Sequence, residues 1–131
     1  MNKDKPVILL VDDEPDVIVG TGRALIETGY RIIEARNGFE GLRALKLADN
    51  RVDLILTDIR MPGMNGIEFI QAQRASGPLI PVIFYTGGVF YRDEVDHISH
   101  LPRSIFMYKP FDIDALHHDI QALINLSQAA V

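Results

Sequence analysis

The chain of 131 residues contains no cysteine. This absence excludes disulfide bonds, thiolate metal ligands and cysteine nucleophiles. The chain also lacks a basic surplus, because 18 acidic residues outnumber 13 lysines and arginines and leave a net charge of −5. Direct nucleic-acid binding by this domain is therefore not expected.

Long apolar runs are absent as well. The N-terminal run spans only Val7 to Val11, which is too short for a signal-peptide core and far too short to cross a bilayer. No other uninterrupted run approaches the ~18 residues of a membrane helix. The sequence thus predicts a soluble, cytoplasmic protein with no membrane contact.

The length and composition are typical of one ordinary domain. Domains cluster near ~100–150 residues, and 47% hydrophobic with 24% charged residues is close to the globular average. We expect residues 1–131 to form a single domain with a core from about 5 to 126. The five residues after this core, 127–131, are too few for an effector domain, so none is expected in this chain.

Short apolar runs alternate along the chain with longer segments of helical spacing. The runs are Val7–Val11, Arg31–Ala35, Leu54–Thr57, Pro81–Tyr85 and Ser104–Tyr108. Several of them lack polar alternation, which favours strands buried on both faces of a parallel sheet. The pattern predicts an α/β fold, a doubly wound five-stranded parallel sheet with helices on both faces and the flavodoxin-like strand order 2-1-3-4-5.

The predicted helical segments differ in how clearly their residue pattern indicates a helix. Apolar residues from Ile113 to Ile124 form a clear stripe, and Pro15 suits the first turn of a helix that ends before Gly29. Phe39 is expected to face the core from the second helix. The helical pattern is weaker in the segment from Gly87 to Pro102. His117 in the last helix is expected to be exposed.

Polar residues follow the predicted strands at the points where they end. Asp12 and Asp13 follow the first strand, Asp58 the third, Thr86 the fourth and Lys109 the fifth. The carboxyl ends of parallel strands share one edge, where open α/β sheets bind ligands. We therefore expect these side chains to converge there.

Three carboxylates in one place repel each other unless cations compensate. Lys109 balances one charge, and a divalent cation can balance the rest. Hard oxygen ligands without histidine or cysteine favour Mg²⁺, which also prefers a phosphate-bearing partner, and Mn²⁺ is expected to substitute for it. Asp58 can then attack phosphorus to give an aspartyl phosphate, with Thr86 bonded to a phosphoryl oxygen. Taken singly, Asp13 or Asp58 is more often a helix cap and Lys109 a solvated lysine; their joint placement favours a site.

Four segments together resemble the response-regulator receiver domain of two-component signalling. They are ILLVDDEPDV (8–17), DLILTDIRMPGMNGIEF (53–69), PVIFYTG (81–87) and MYKPF (107–111), and the likeness spans residues 5–126. The resemblance implies that Asp12, Asp13, Asp58 and the backbone carbonyl of Arg60 bind Mg²⁺. It also implies a cis peptide between Lys109 and Pro110.

The resemblance further implies how such a protein would signal. Asp58 would take phosphate from a sensor histidine kinase or a histidine phosphotransfer protein. Thr86, Phe106 and Lys109 would relay its presence to a face formed by helix four, strand five and helix five. That face would control an output partner or attached domain, with a phosphorylation-dependent dimer as a further option. The domain would catalyse only its own phosphotransfer and dephosphorylation, and would not be an enzyme otherwise.

Two residues depart from the usual pattern of that family. Phe106 stands where a tyrosine is frequent, so signalling here is expected to depend on packing rather than on a hydroxyl. Arg60, two residues after Asp58, has a side chain that we expect to lie over the phosphoryl group, either pairing with it or hindering water.

Three other functions are compatible with parts of the pattern. A flavodoxin-like electron carrier shares the fold, but Asp12, Asp13 and Glu14 would repel a flavin phosphate. A haloacid-dehalogenase-like phosphatase also forms an aspartyl phosphate, but its acidic pair follows the first strand, whereas Asp58 follows the third. A phosphorylation-independent receiver-like scaffold remains the third alternative, although no acceptor or pocket residue is missing here.

Overall fold

A computed structural model describes the backbone of residues 5–129 and the side chains of residues 5–126. Five strands alternate with five helices. In chain order they are β1 (Val7–Val11), α1 (Pro15–Thr28), β2 (Arg31–Ala35), α2 (Gly38–Leu47), β3 (Leu54–Asp58), α3 (Gly66–Ser76), β4 (Val82–Thr86), α4 (Arg92–Ser99), β5 (Ser104–Tyr108) and α5 (Ile113–Ala129). All strand pairs are parallel, and the order β2-β1-β3-β4-β5 confirms the predicted topology.

Two strands end one residue later than predicted. Asp58 pairs with Tyr85 across the sheet, and Thr86 pairs with Tyr108, so the ladder continues past both apolar runs. At its other end β4 begins at Val82 rather than Pro81, since proline has no N–H to donate to a ladder. Asp58 and Thr86 are therefore the last residues of their strands and share the rigidity of the sheet.

Alternate residues of the central strands supply two separate cores. Leu9, Ile55 and Phe84 point to one face, where α2, α3 and α4 cover them. Leu10 and Leu56 point to the other, where α1 and α5 pack. Burial on both faces explains why β1, β3 and β4 are almost wholly apolar.

The first and last helices follow the sequence pattern closely. Pro15 is at the start of α1, and Gly29 ends it with φ of 118°, a left-handed conformation that costs glycine little. In α5 the predicted stripe is buried at Leu116, Ile120, Leu123 and Ile124.

The prediction that Phe39 faces the core is wrong, because its side chain is 61% exposed. The helix instead buries Gly38, Gly41 and Leu45. A Cβ at Gly41 would lie 2.8 Å from the Phe69 ring, so α2 packs through its glycines against that ring. Phe39, one position from Gly38, is thereby rotated to the surface.

His117 is half-buried, which makes the expectation of exposure wrong. Its Nδ1 lies 2.7 Å from the hydroxyl oxygen of Tyr30, and the two rings meet edge to face at 5.5 Å. Tyr30 is only 4% exposed, and a buried tyrosine hydroxyl requires a hydrogen-bond partner. His117 supplies it.

Helix α5 extends three residues beyond the expected end of the core at 126. Residues 1–4 and 130–131, which the single-domain prediction includes, lie outside the described part. Among residues 5–129, no helix is both long enough and apolar enough to span a membrane.

Candidate functional site

The site forms at the carboxyl edge of the sheet, where β1 and β3 are neighbours. Val11 pairs with Thr57, so the residues that follow, Asp12 and Asp58, stand side by side. The next strands bring Thr86 and Lys109 to the same edge, and the Lys109 N–H donates to the Thr86 carbonyl at 2.9 Å. The structure thus brings Asp12, Asp58, Thr86 and Lys109 together at the edge where sequence reasoning placed them.

Asp12 is fully buried, and each of its carboxylate oxygens accepts a hydrogen bond. Its Oδ1 accepts the Glu14 N–H at 2.8 Å, and its Oδ2 accepts the Tyr85 hydroxyl at 2.7 Å. Burial and the neighbouring charge of Asp12 raise the pKa of Tyr85 far above its ordinary value. Tyr85 therefore stays protonated and acts as a fixed donor to Asp12.

Asp58 is 4% exposed and has fewer partners. Its Oδ1 accepts the Arg60 N–H at 3.1 Å, and its Oδ2 lies 3.9 Å from the Lys109 ammonium. Burial, and after it the charge of Asp12, raise the pKa of Asp58 to about 6, although the Arg60 N–H and Lys109 oppose the change. The carboxylate is ionised at neutral pH, but at a cost in free energy.

Lys109 is the cation at the centre of the acidic group. Its Nζ lies 3.2 Å from Glu14 Oε1 and 3.6 Å from Asp12 Oδ2, in addition to its contact with Asp58. Burial by itself lowers the pKa of Lys109, but Asp12, Glu14 and Asp58 outweigh it, so the net shift is upward. Three carboxylates around one ammonium leave an excess of negative charge.

One carboxylate oxygen from each of Asp12, Glu14 and Asp58 lies within 4.8 Å of the others. This set consists only of hard oxygen donors and carries uncompensated charge, which fits a divalent cation such as Mg²⁺. Asp13 is exposed and lies outside the set, although its charge still contributes to raising the pKa of Asp58. Its assignment as a ligand stays a prediction.

Sequence reasoning missed the roles of Glu14 and Tyr85. Glu14 follows Asp12 by two residues, and that spacing allows the Glu14 N–H to donate to Asp12 Oδ1. The hydrogen bond holds Glu14 at the same edge of the sheet as Asp12. Tyr85 stands in an otherwise apolar strand directly before Thr86. A tyrosine in a strand buried on both faces needs a polar partner, and that requirement was the available signal.

The proposed relay residues occupy the neighbouring strands. Thr86 is buried, and its hydroxyl oxygen accepts the Gly88 N–H at 3.2 Å. Phe106 is 38% exposed, and its ring lies 4.7 Å from that of Phe90, which in turn meets Tyr108 at 5.2 Å. The aromatic group thus joins Phe106 and Tyr108 of β5 to Phe90 in the loop before α4.

The Arg60 side chain binds α4 rather than the Asp58 carboxylate. Its guanidinium pairs with both Glu94 oxygens through its two terminal nitrogens, donates to the Val89 carbonyl at 2.7 Å and lies 4.6 Å from the centre of the Tyr91 ring. In the unphosphorylated protein the guanidinium therefore does not take the expected place over the phosphoryl position, because Glu94 offers it a bidentate partner.

The loop after the acceptor depends on Gly66. The Gly66 N–H donates to the Ile59 carbonyl at 3.0 Å, and a Cβ at this position would lie 2.2 Å from the Asp58 carbonyl oxygen. Only glycine permits α3 to begin this close to the acceptor. The peptide between Lys109 and Pro110 is cis, as the resemblance implies.

Comparisons with known proteins agree with this geometry. The family model of the response regulator receiver domain matches residues 8–121. The transcriptional regulatory protein GlrR of Escherichia coli K12 is 33% identical over 125 residues, which cover 94% of this chain and 27% of GlrR. The sensor kinase CckA of Brucella abortus is 32% identical over 121 residues, which cover 90% of this chain and 12% of CckA. This chain thus spans about a quarter or less of these two relatives.

A solved structure shows the same architecture. The signal receiver domain of a signal transduction histidine kinase from Syntrophus aciditrophicus superposes with a TM-score of 0.79 at 31% identity. The superposition covers 92% of this chain and 90% of the other.

Proposed function

The chain belongs to the response regulator receiver domain family of two-component signalling, and we propose that it is a switch set by phosphorylation of Asp58. The observation that carries the proposal is the state of the Asp58 carboxylate. Among the described contacts its Oδ2 accepts no hydrogen bond, and its nearest cation is the Lys109 ammonium at 3.9 Å. A pKa of about 6 keeps that oxygen ionised at neutral pH.

Phosphoryl transfer to Asp58 follows from this arrangement. An Asp58 oxygen forms a bond to phosphorus while the phosphorus–nitrogen bond of a donor phosphohistidine breaks, and the electron pair stays on the imidazole. Lys109 faces the oxygen that carries the group and balances part of its charge. The Arg60 N–H holds the other Asp58 oxygen, which orients the carboxylate for attack.

Mg²⁺ would be held by Asp12, Asp13, Asp58 and the Arg60 carbonyl, and Glu14 belongs to the same acidic set. When bound, it would neutralise the carboxylates and the transferring phosphoryl oxygens. The chain's own part is to keep the donors in place: Tyr85 fixes Asp12, and Asp58 is the last residue of a buried strand.

The proposed donor is a sensor histidine kinase or a histidine phosphotransfer protein. A groove of about 530 Å³ beside Lys109 offers it a contact surface. Apolar and small side chains of α1, of the segment before α5 and of the first residue of α5 line the groove, among them Val17, Ala24, Phe111 and Ile113. An apolar helix face of the donor can pack there while its histidine reaches the sheet edge.

The phosphorylation signal is proposed to be passed on through a change in the α4–β5–α5 face. A shift from 1:99 to 99:1 between two states requires ~5.5 kcal/mol of differential interaction. Charge-assisted hydrogen bonds are worth ~1.5–3 kcal/mol each, so contacts of the phosphoryl group with Thr86 and Lys109 supply most of it. Both residues adjoin this face, which would control a partner, an attached domain or a second copy.

Intact mass spectrometry after treatment with acetyl phosphate and Mg²⁺ tests the proposal. We expect one added phosphoryl group on the parent and none on Asp58→Asn, which keeps the acceptor of the Arg60 N–H. Asp53→Asn, an acid at the opposite edge of the sheet, is expected to be phosphorylated like the parent. An unmodified parent would refute the phosphoacceptor role and favour the phosphorylation-independent scaffold.

A further inference from the structure

Arg60 connects the acceptor to α4 through two separate parts of one residue. Its backbone N–H donates to Asp58 Oδ1 at 3.1 Å, whereas its guanidinium binds Glu94 and the Val89 carbonyl. Val89 belongs to the loop that begins after Thr86, and Glu94 lies in the first turn of α4. A single side chain therefore ties the acceptor loop to the loop and the helix of the output face.

Glu94 has two partners of its own in this contact. Its Oε1 accepts the Tyr91 N–H at 2.8 Å and so closes the first turn of α4, while both of its oxygens pair with Arg60. The Glu94 side chain is only 14% exposed. We call these contacts of Arg60 with Val89, Tyr91 and Glu94 the α4 clasp.

The clasp restrains the least buried helix of the fold. Helix α4 has eight residues, and of these only Ile98 is fully buried. With so little apolar packing, the position of α4 depends strongly on its polar contacts. A change in the partner of Arg60 would therefore be felt directly by α4.

We propose that Arg60 exchanges Glu94 for the phosphoryl group when Asp58 is phosphorylated, and that this exchange releases α4 and the Val89 loop. This inference rests on the proposed function and connects phosphorylation of Asp58 to the release of α4. An aspartyl phosphate carries about two negative charges, against one on Glu94. The guanidinium is a bidentate donor that suits phosphate as well as carboxylate.

Charge at the site favours the same direction of exchange. Lys109 already faces three carboxylates, so a phosphoryl dianion adds charge that this ammonium alone does not balance. Arg60 is anchored two residues from Asp58, which keeps its guanidinium within reach. Losing the clasp frees the Glu94 carboxylate into water, and its bond to the Tyr91 N–H can persist.

Hydrogen exchange of the α4 amides, measured with and without beryllofluoride and Mg²⁺ as the phosphoryl mimic, tests the exchange of partners. Glu94→Gln removes the charge that Arg60 binds but keeps an oxygen for the Tyr91 N–H. Asp93→Asn is the matched control, because it removes one charge from the same helical turn without touching Arg60. In the unliganded protein we expect Glu94→Gln to speed α4 exchange about three- to fivefold, and Asp93→Asn to leave it unchanged.

Adding beryllofluoride should raise α4 exchange in the parent to the level of Glu94→Gln. In Arg60→Ala it should be high in both states and should not respond. Unchanged α4 exchange in a parent that binds beryllofluoride would overturn the partner exchange while the phosphoacceptor role stands. Equal behaviour of Glu94→Gln and Asp93→Asn would overturn the clasp itself. A parent that neither binds beryllofluoride nor takes phosphate from acetyl phosphate would refute the proposed function, and the partner exchange with it.

Discussion

Replacement of Asp58 by asparagine is expected to stabilise the metal-free protein at neutral pH. The folded chain raises the pKa of Asp58 from an ordinary 3.8 to about 6, and each pKa unit corresponds to ~1.4 kcal/mol. The ionised carboxylate therefore lowers the free energy of unfolding by about 3 kcal/mol. Asparagine removes the charge and keeps the oxygen that accepts the Arg60 N–H, so most of this penalty should be recovered.

The sign of the pH dependence follows from the direction of the shift. Because the folded state binds the Asp58 proton more tightly than the unfolded state, protonation of Asp58 favours folding. That contribution is complete below pH ~4 and is lost as the pH rises through about 6. The gain in stability of Asp58→Asn over the parent should thus be small at pH 4, roughly half-developed at pH 5 and complete at pH 7.5.

Urea denaturation in the presence of EDTA, at pH 4, 5 and 7.5, measures this difference. Asp93→Asn, an exposed acid on α4, serves as the control and should differ from the parent by less than ~0.5 kcal/mol at each pH. Mg²⁺ at ten times its Kd should stabilise the parent by about 1.4 kcal/mol and the variant by less. If Asp58→Asn were no more stable than the parent at pH 7.5, or if the gain did not change with pH, the reasoning on burial would be refuted.

Four further predictions follow from particular contacts. Gly66→Ala should destabilise the fold by at least ~3 kcal/mol in urea denaturation, because its Cβ would meet the Asp58 carbonyl oxygen at 2.2 Å. The control Gly20→Ala, which lies in open space on α1, should instead stabilise the fold by ~0.5–1 kcal/mol. Similar effects of the two substitutions would contradict the steric argument. Tyr30→Phe should cost ~1 kcal/mol through loss of the bond to the last helix, and an unchanged midpoint would show that this bond contributes nothing. Phe106→Tyr should leave partner binding and stability nearly unchanged, since the ring is already half in solvent; a large change in titration calorimetry with the output partner would argue against signalling by packing. Arg60→Ala should shorten the lifetime of the phosphoryl group several-fold by removing a charge that stabilises it, and an unaltered decay rate, followed by mass spectrometry, would remove Arg60 from the phosphoryl site.

The fold was predictable because local sequence and global packing agree in most elements. Branched apolar runs of four or five residues specify strands buried on both faces, and right-handed crossovers leave few ways to order them. The exceptions have identifiable causes. Phe39 faces solvent because α2 packs through glycines, a preference that an apolar-residue pattern cannot register. His117 is half-buried because Tyr30, 87 positions earlier, needs a hydrogen-bond partner.

The convergence of Asp12, Asp58, Thr86 and Lys109 was also predictable, since parallel strands end at one edge whatever their side chains are. The parts that Glu14 and Tyr85 play in the site were not predictable, because they depend on the direction in which each side chain points at that edge. The partner of Arg60 in this state, Glu94, could not be predicted for the same reason: the sequence places Arg60 two residues from Asp58, but the guanidinium lies at the far end of a long side chain.

The sequence by itself determined the parallel α/β sheet, the carboxyl edge as the location of the site and Asp58 as the acceptor to test. These properties depend on the periodicity of apolar residues and on the positions at which strands end, and both are local. Only the tertiary structure decided that Glu14 joins Asp12 and Asp58 in one acidic set, that Tyr85 holds Asp12, and that Arg60 is clasped to Glu94 of α4. Those pairings join residues through the orientation of side chains in space, where distance and burial, not separation along the chain, set the strength of each interaction.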